Sequence, residues 1–142
     1  MNTSIILFSS KKGTAERVAT YFGETLNIDV VGVKFIDPEI LKNYKNVIFV
    51  VANYGKAEAP PQDMIFWNKL FEMKQTDSFA GLNFAVFGCG SSKRAPYYQG
   101  FAKMVIKHLN STGAHQIAEL GERDAAIDDE SSVQTWPLQL KL

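Results

Sequence analysis

Residues 9–15 read Ser-Ser-Lys-Lys-Gly-Thr-Ala and join a short apolar run to a segment with helical periodicity. The N–H groups and the positive dipole end at a helix start favour anions. The hydroxyls of Ser10 and Thr14 add donors, and Gly13 allows the backbone to approach a bound group closely. This composition favours a binding site for a phosphate monoester, and a polar strand-to-helix turn with a capping hydroxyl is the alternative.

Other phosphate and nucleotide chemistries lack their required residues. Gly13 has no glycine five residues before it, as a P-loop requires. Gly88-Cys89-Gly90 begins a dinucleotide fingerprint, but Lys93 occupies the position of its third glycine. A phosphoacceptor regulator needs aspartates at strand ends to bind a divalent ion. The first predicted strand instead runs into Ser10 and the third into Asn53.

Length and composition indicate one globular domain over residues 1–142, with 46% hydrophobic and 21% charged residues. The formal net charge of +0, from 15 basic and 15 acidic residues, argues against nucleic-acid binding. The sequence contains neither a membrane-length apolar run nor a basic, signal-like N-terminus. The single cysteine, Cys89, excludes an internal disulfide. We therefore expect a cytoplasmic, monomeric protein.

Strand and helix patterns alternate along the chain. Apolar runs predict strands at residues 4–8, 28–36, 47–52, 84–87 and 116–120. Helical periodicity predicts helices at residues 14–26, 63–71, 98–109 and 128–136. Such alternation is typical of an α/β fold, here a doubly wound, five-stranded parallel sheet with helices on both faces. Ligands bind beyond the carboxyl ends of such strands, which selects the loops at residues 9–14, 53–61, 88–97 and 121–128.

Four loops, in chain order, resemble those of the FMN-binding domain of the diflavin reductases, a branch of the flavodoxin family. The first match is SKKGTAE, which resembles their S-x-x-G-T-A-E phosphate loop. The second is ANYGKAEAPPQD, an aromatic-glycine pair followed by an acid and prolines. The third and fourth are NFAVFGCG and AELGERDA. The resemblance covers nearly the whole chain and implies an FMN cofactor and the strand order 2-1-3-4-5.

The first loop is implied to hold the FMN phosphate. By resemblance, the hydroxyls of Ser10 and Thr14 bind it together with the backbone N–H groups of Lys11, Lys12, Gly13 and Ala15. Lys12 stands where many relatives have threonine, so its ammonium either reaches the phosphate or points to water. Lys11 is expected to be solvated.

The second loop is implied to hold the flavin ring. Tyr54 is expected to stack on one face of the isoalloxazine, with Asn53 and Gly55 beside it and the Gly55 peptide near N5. Aromatic contact of this kind disfavours extra negative charge on the ring. Ala57 occupies the position of the next family glycine.

The third and fourth loops are implied to complete the site. Either the Arg94 guanidinium, which can lie flat on an aromatic ring, or Tyr97 is expected to cover the outer flavin face. The resemblance implies that the backbone of Gly88, Cys89 and Gly90 lies near the pyrimidine edge of the flavin. Asp124 matches an acidic residue near the same edge, with a solvated loop carboxylate as the alternative.

The resemblance implies a stand-alone one-electron carrier in which the flavin performs the chemistry. Its expected donor is a separate NAD(P)H-dependent or ferredoxin-type reductase, and its acceptor a haem or iron–sulfur enzyme, without nucleic-acid or membrane partners. One alternative is an interaction module that has lost FMN, suggested by Lys12, Ala57 and Arg94. Another is a small flavin oxidoreductase that uses NAD(P)H directly.

Overall fold

A computed structural model describes residues 3–127 and 129–142 of the chain. The strands are β1 (Ser4–Ser9), β2 (Val30–Gly32), β3 (Asn46–Ala52), β4 (Asn83–Gly90), β5 (His115–Gln116) and β6 (Gly121–Asp124). The α-helices are α1 (Thr14–Leu26), α2 (Met64–Glu72), α3 (Gly100–Ser111) and α4 (Ser131–Thr135). Short 3₁₀ turns connect them at Val33–Phe35, Pro38–Asn43, Pro61–Asp63, Ser92–Arg94 and Trp136–Gln139.

The strands form one parallel sheet in the order β2-β1-β3-β4-β5, with β6 also paired to β4. The predicted order 2-1-3-4-5 is confirmed. β3 lies at the centre and pairs along its whole length with β4, from Asn46 opposite Asn83 to Ala52 opposite Cys89. Its side chains are buried on both faces up to Val51, as expected for a strand covered by helices on both sides.

Two hydrophobic clusters cover the two faces of the sheet. Residues of α2 and α3, including Trp67 and Phe101, pack with Phe49 on one face. Residues of α1 and the C-terminal segment, including Phe22 and Trp136, pack on the other. The predicted placement of helices on both faces is therefore correct. No helix in the described part of the chain combines the length and apolar character needed to cross a bilayer.

The predicted second strand, residues 28–36, is too long. Only Val30–Gly32 pairs with β1, and the chain then turns into the Val33–Phe35 3₁₀ turn. The alternating pattern was misleading because Val33 is buried by this turn, whereas Phe35 is 75% exposed. An edge strand has a neighbour on one side only, so nearby packing readily ends it.

The predicted fifth strand, residues 116–120, is displaced and divided. β5 ends at Gln116, and β6 resumes the edge at Gly121, within a segment predicted to be a loop. Between them the indole of Trp136 donates a hydrogen bond to the Glu119 carbonyl at 3.1 Å. A backbone group that would otherwise require a strand partner is therefore satisfied by a distant side chain.

The predicted helix boundaries differ most at the C-terminus. The predicted helix over residues 128–136 begins at Ser131 and gives way to a 3₁₀ turn at Trp136. Pro137 explains this ending, since it lacks a backbone donor. The predicted first residue, Asp128, lies outside the described residues. The predicted helix over residues 98–109 begins later, at Gly100, because Gln99 has a φ of 54°.

Buried hydrogen bonds join β1 to the start of α2. The Ser9 hydroxyl donates to Asp63 Oδ2 at 2.6 Å and accepts from the Trp67 indole at 3.1 Å. Nearby, the Gln62 amide donates to the Ser10 carbonyl at 2.7 Å. Burial raises the pKa of Asp63, although the bond from Ser9 acts in the opposite direction. These contacts hold the loop after β1 against α2.

Gly121→Ala should destabilise the fold. A Cβ at this position would lie 2.4 Å from the Phe87 ring and 2.7 Å from the Trp136 indole, both of which are packed in the core. We expect the free energy of unfolding in urea to fall by about 1–3 kcal/mol. Glu122→Ala, at the neighbouring exposed position, should change it by less than about 0.5 kcal/mol. Equal stability of Gly121→Ala and wild type would contradict the close packing.

Asp63→Asn should change how stability depends on pH. The pKa of Asp63 lies above its ordinary value of 3.8 because of burial. Its contribution to stability is therefore fully present below pH 3.8 and is lost as the pH rises through the raised folded pKa. Urea unfolding of wild type and variant at a series of pH values should show the difference shifting in favour of Asn as pH rises.

Asp37→Asn is the matched control because its sign is opposite. The hydrogen bond from the Lys69 ammonium and that from the Glu39 N–H lower the pKa of the exposed Asp37 carboxyl. Its contribution is present above pH 3.8 and is lost as pH falls through the lowered folded pKa. The same direction of change in both variants would contradict the assignment of Asp63 as a carboxyl that resists ionisation.

Candidate functional site

A cavity of about 220 Å³ opens at the carboxyl ends of β1, β3, β4 and β6. All four predicted loops contribute to it. The predicted residues that line it are Ser10, Lys11, Lys12, Thr14, Asn53, Tyr54, Gly55, Cys89, Gly90 and Arg94. Its further lining residues are Ala52, Ser91, Arg123 and Ala125. Five predicted site residues lie outside the lining, namely Gly13, Ala15, Gly88, Tyr97 and Asp124.

The loop after β1 presents hydrogen-bond donors to this cavity. Gly13 has a φ of 92°, a left-handed conformation that favours glycine, and α1 begins directly after it. No side chain caps α1, so the N–H groups of its first turn stay available. The Ser10 oxygen accepts the Gly13 N–H at 2.9 Å, which leaves the Ser10 hydroxyl hydrogen for another acceptor. Ala15 is fully buried, so only its backbone is available to a ligand.

This donor set fits a phosphate group. The lining residues of the first loop carry two hydroxyls, on Ser10 and Thr14, and two ammonium groups, on Lys11 and Lys12. None of the described residues that line the cavity carries a carboxylate. Charge-assisted hydrogen bonds from such groups, together with a helix N-terminus, stabilise a dianion.

The loop after β3 holds Tyr54 in a tight turn. Tyr54 and Glu58 exchange two backbone hydrogen bonds, each 2.7 Å long. Gly55 and Ala57 within the turn have φ values of 52° and 63°. Ala57 thus adopts the left-handed conformation itself, at a cost of about 1–2 kcal/mol for a residue with a Cβ. The turn therefore contains a left-handed alanine at the position where the resemblance places a glycine.

Asn53 links the second loop to the third. Its amide donates to the Tyr97 carbonyl at 2.8 Å and accepts from the Phe101 N–H at 2.9 Å. The second bond satisfies a backbone donor at the start of α3. Asn53 therefore lines the cavity and also fixes the position of the chain that follows Arg94.

The structure separates Arg94 from Tyr97, the two residues predicted as alternatives for the outer face of a flavin. Arg94 lines the cavity and Tyr97 does not, although both residues are exposed. The 3₁₀ turn Ser92–Arg94 ends with Arg94 at the cavity edge. Tyr97 instead contributes its carbonyl to the bond with Asn53.

Cys89 is buried and belongs to the cavity lining. Burial raises the pKa of its thiol to about 12, so the thiol stays protonated at neutral pH. A nucleophilic or redox role requires the thiolate, which leaves the backbone as the useful part of this residue. Gly88 lies behind the wall, where a Cβ would come within 2.2 Å of the buried Gln99 side chain.

Asp124 supports the cavity wall from outside. Its carboxylate accepts the N–H groups of Ser92 at 2.8 Å and Ala126 at 2.9 Å. These hydrogen bonds, chiefly those with Ser92, hold the pKa of Asp124 below its ordinary value. The residue therefore joins the third and fourth loops.

Arg123 is a lining residue that sequence reasoning missed. Its side chain is 12% exposed and donates from Nε to Glu130 at 2.6 Å, and Glu130 also pairs with Arg17 at 2.8 Å. The segment was predicted to be a loop, but β6 places Arg123 opposite Cys89 in the sheet. Recognising the motif GERDA as a strand end would have identified it. Within the described residues, no cluster of three or more His, Cys, Asp or Glu suits a metal ion.

Comparisons with known proteins identify the family to which the sequence is similar. The flavodoxin family model matches residues 6–136. The chain is 29% identical over 93% of its length to bifunctional cytochrome P450/NADPH–P450 reductase 2 of Bacillus subtilis, and covers 13% of that protein. It is 28% identical over 87% of its length to NADPH-dependent diflavin oxidoreductase 1 of Aspergillus fumigatus, and covers 21% of it. The chain thus spans about a fifth or less of these relatives.

A solved structure shows the same fold. Oxidised Flavodoxin 2 from Bacillus cereus superposes with a TM-score of 0.83 at 22% identity, over 96% of each chain. At 22% identity, this superposition shows a shared fold only. The match to the family model is a similarity of sequence. Together with the four-loop cavity, these findings show that the chain belongs to the flavodoxin family, whose cofactor is FMN.

Proposed function

We propose that this chain is an FMN-containing carrier that accepts electrons one at a time from a reductase and delivers them to another redox enzyme. The observation that carries the proposal is the cavity in which donors for a phosphate and an aromatic platform, Tyr54, come together at one sheet edge. Membership of the flavodoxin family identifies the cofactor as FMN. The flavin supplies the electron chemistry when it is bound.

The chain's own residues have binding and positioning roles in this proposal. Ser10, Thr14 and the first-turn N–H groups of α1 hold the phosphate. Tyr54 and Arg94 contact the two faces of the ring, and Cys89 and Gly90 approach its edge through their backbone. Asn53 keeps the second and third loops in register through its two hydrogen bonds.

The lining side chains favour a carrier over an enzyme whose own substrate must lose a proton to a side chain. Apart from Tyr54, the titratable groups that line the cavity are the cations of Lys11, Lys12, Arg94 and Arg123 and the protonated Cys89 thiol. Such groups attract and hold an anionic cofactor. A general base for a second substrate would require a group that accepts a proton near neutral pH.

The proposed donor is a separate NAD(P)H-dependent or ferredoxin-type reductase, and the proposed acceptor is a haem or iron–sulfur enzyme. The Bacillus subtilis relative is named as a fusion of a cytochrome P450 with its NADPH-dependent reductase. This chain matches only a small part of that protein, so the proposal assigns the NADPH-binding step to another module. A cytoplasmic, monomeric protein remains our expectation.

Tyr54→Leu should weaken FMN binding about tenfold, because it removes aromatic stacking in addition to buried area. Fluorescence quenching of FMN during titration of the apoprotein measures the dissociation constant. Tyr54→Phe keeps the ring and should stay within about threefold of wild type.

Wild-type protein that shows no flavin absorbance and takes up no added FMN would favour an interaction module instead. Steady-state oxidation of NAD(P)H by the isolated protein would favour an oxidoreductase.

Arg94→Ala should weaken FMN binding more than Tyr97→Ala does. Arg94 lines the cavity and Tyr97 lies outside it, so only the first substitution removes a contact with the ring. We expect about a fivefold loss for Arg94→Ala, in the range of an exposed cation–π contact, in the same quenching titration. A larger loss for Tyr97→Ala would assign the outer face to the tyrosine.

A further inference from the structure

The Lys11 ammonium lies 3.9 Å from the centroid of the Tyr54 ring. This distance is well within the range of a cation–π contact. Both side chains line the same cavity. A flat ring that stacks on the face of Tyr54 covered by Lys11 must displace the ammonium.

Hydrogen bonds hold the backbone around Lys11, whereas the contact described for its side chain is the one with the Tyr54 ring. The preceding carbonyl, of Ser10, accepts from Gln62 at 2.7 Å, and the Ser10 hydroxyl oxygen accepts from Gly13 at 2.9 Å. The ion pairs identified between described residues do not include Lys11. Its four-carbon stem is flexible, so the ammonium can exchange the Tyr54 ring for another partner without moving the loop.

The stronger partner for an ammonium in this loop is an oxyanion. Lys11 lies between Ser10 and the helix start that together form the proposed phosphate site. A doubly charged phosphate attracts an ammonium more strongly than the quadrupole of an aromatic ring does. A phosphate in the loop would therefore draw Lys11 away from Tyr54 and free the aromatic face.

We propose that Lys11 makes stacking on Tyr54 conditional on a phosphate, and so selects the phosphorylated flavin, FMN, over riboflavin. This inference rests on the proposed function, since it concerns the same site. In the absence of a phosphate, Lys11 competes with the ligand's ring for Tyr54. When a phosphate occupies the loop, the same side chain moves to the anion and contributes to affinity.

The test compares riboflavin and FMN binding to the full chain and to Lys11→Ala, by flavin fluorescence quenching. Riboflavin should bind Lys11→Ala about two- to fivefold more tightly than wild type, which corresponds to one exposed cation–π contact. FMN should bind no more tightly, because the lost attraction to its phosphate offsets the freed ring. The preference for FMN over riboflavin should therefore fall.

Two comparisons separate this role from a general effect of charge. Lys12→Ala removes a neighbouring cavity cation, but it is Lys11 that lies over Tyr54, so riboflavin binding should not tighten. In a Tyr54→Leu background, Lys11→Ala should lose its effect on riboflavin, because Tyr54→Leu has already removed the ring that Lys11 contacts. The four proteins form a double-mutant cycle that measures this coupling. Circular dichroism confirms that the variants are folded.

The outcomes distinguish this inference from the proposed function. If wild type binds FMN but Lys11→Ala binds riboflavin no more tightly, the inference is overturned and the carrier proposal stands. If Lys12→Ala tightens riboflavin binding equally, the effect is one of total charge and the inference is again overturned. If neither flavin binds wild type or any variant, both proposals fail.

Discussion

The register of the parallel sheet aligns the ends of four strands, β1, β3, β4 and β6. One row across them consists of Ser9, Val51, Gly88 and Glu122. The backbone hydrogen bonds that set this register bring four loops, far apart in sequence, to one edge of the sheet. A shift by one residue in any strand would turn its side chains to the opposite face. Such a shift would also bury polar loop residues. The packing of the apolar faces and the position of the cavity residues therefore depend on the same register.

Polar side chains then join the loops to one another. Ser9 and Asp63 tie the first loop to α2, Asn53 ties the second loop to the third, and Asp124 ties the third to the fourth. The bond between Ser9 and Asp63 is buried, so either group would be costly to leave unpaired, whereas the other two bonds lie in exposed loops. The cavity is therefore held by a connected set of hydrogen bonds, which keeps its walls in place before a ligand binds.

Charge is distributed unevenly in a chain with no formal net charge. Four cations line the cavity, namely Lys11, Lys12, Arg94 and Arg123. Of these four, Arg123 alone forms an ion pair among the described residues, with Glu130. A concentration of cations in a concave site attracts an anion more strongly than the same charges spread over the surface. Lys11 also contacts Tyr54, so one side chain lies beside both the residues proposed to hold a phosphate and the ring proposed to stack on a flavin.

The sequence by itself determined the fold class and the four loops that form the cavity, and the family resemblance supplied the strand order. Apolar runs and helical periodicity are local signals, and the handedness of crossovers limits how such elements can be connected. Tertiary structure decided which side chains reach the cavity. Arg94 and Arg123 line it, whereas Tyr97 and Asp124 do not. These outcomes depend on contacts between distant residues, such as Asn53 with the Tyr97 carbonyl and Trp136 with the Glu119 carbonyl, which no local pattern encodes.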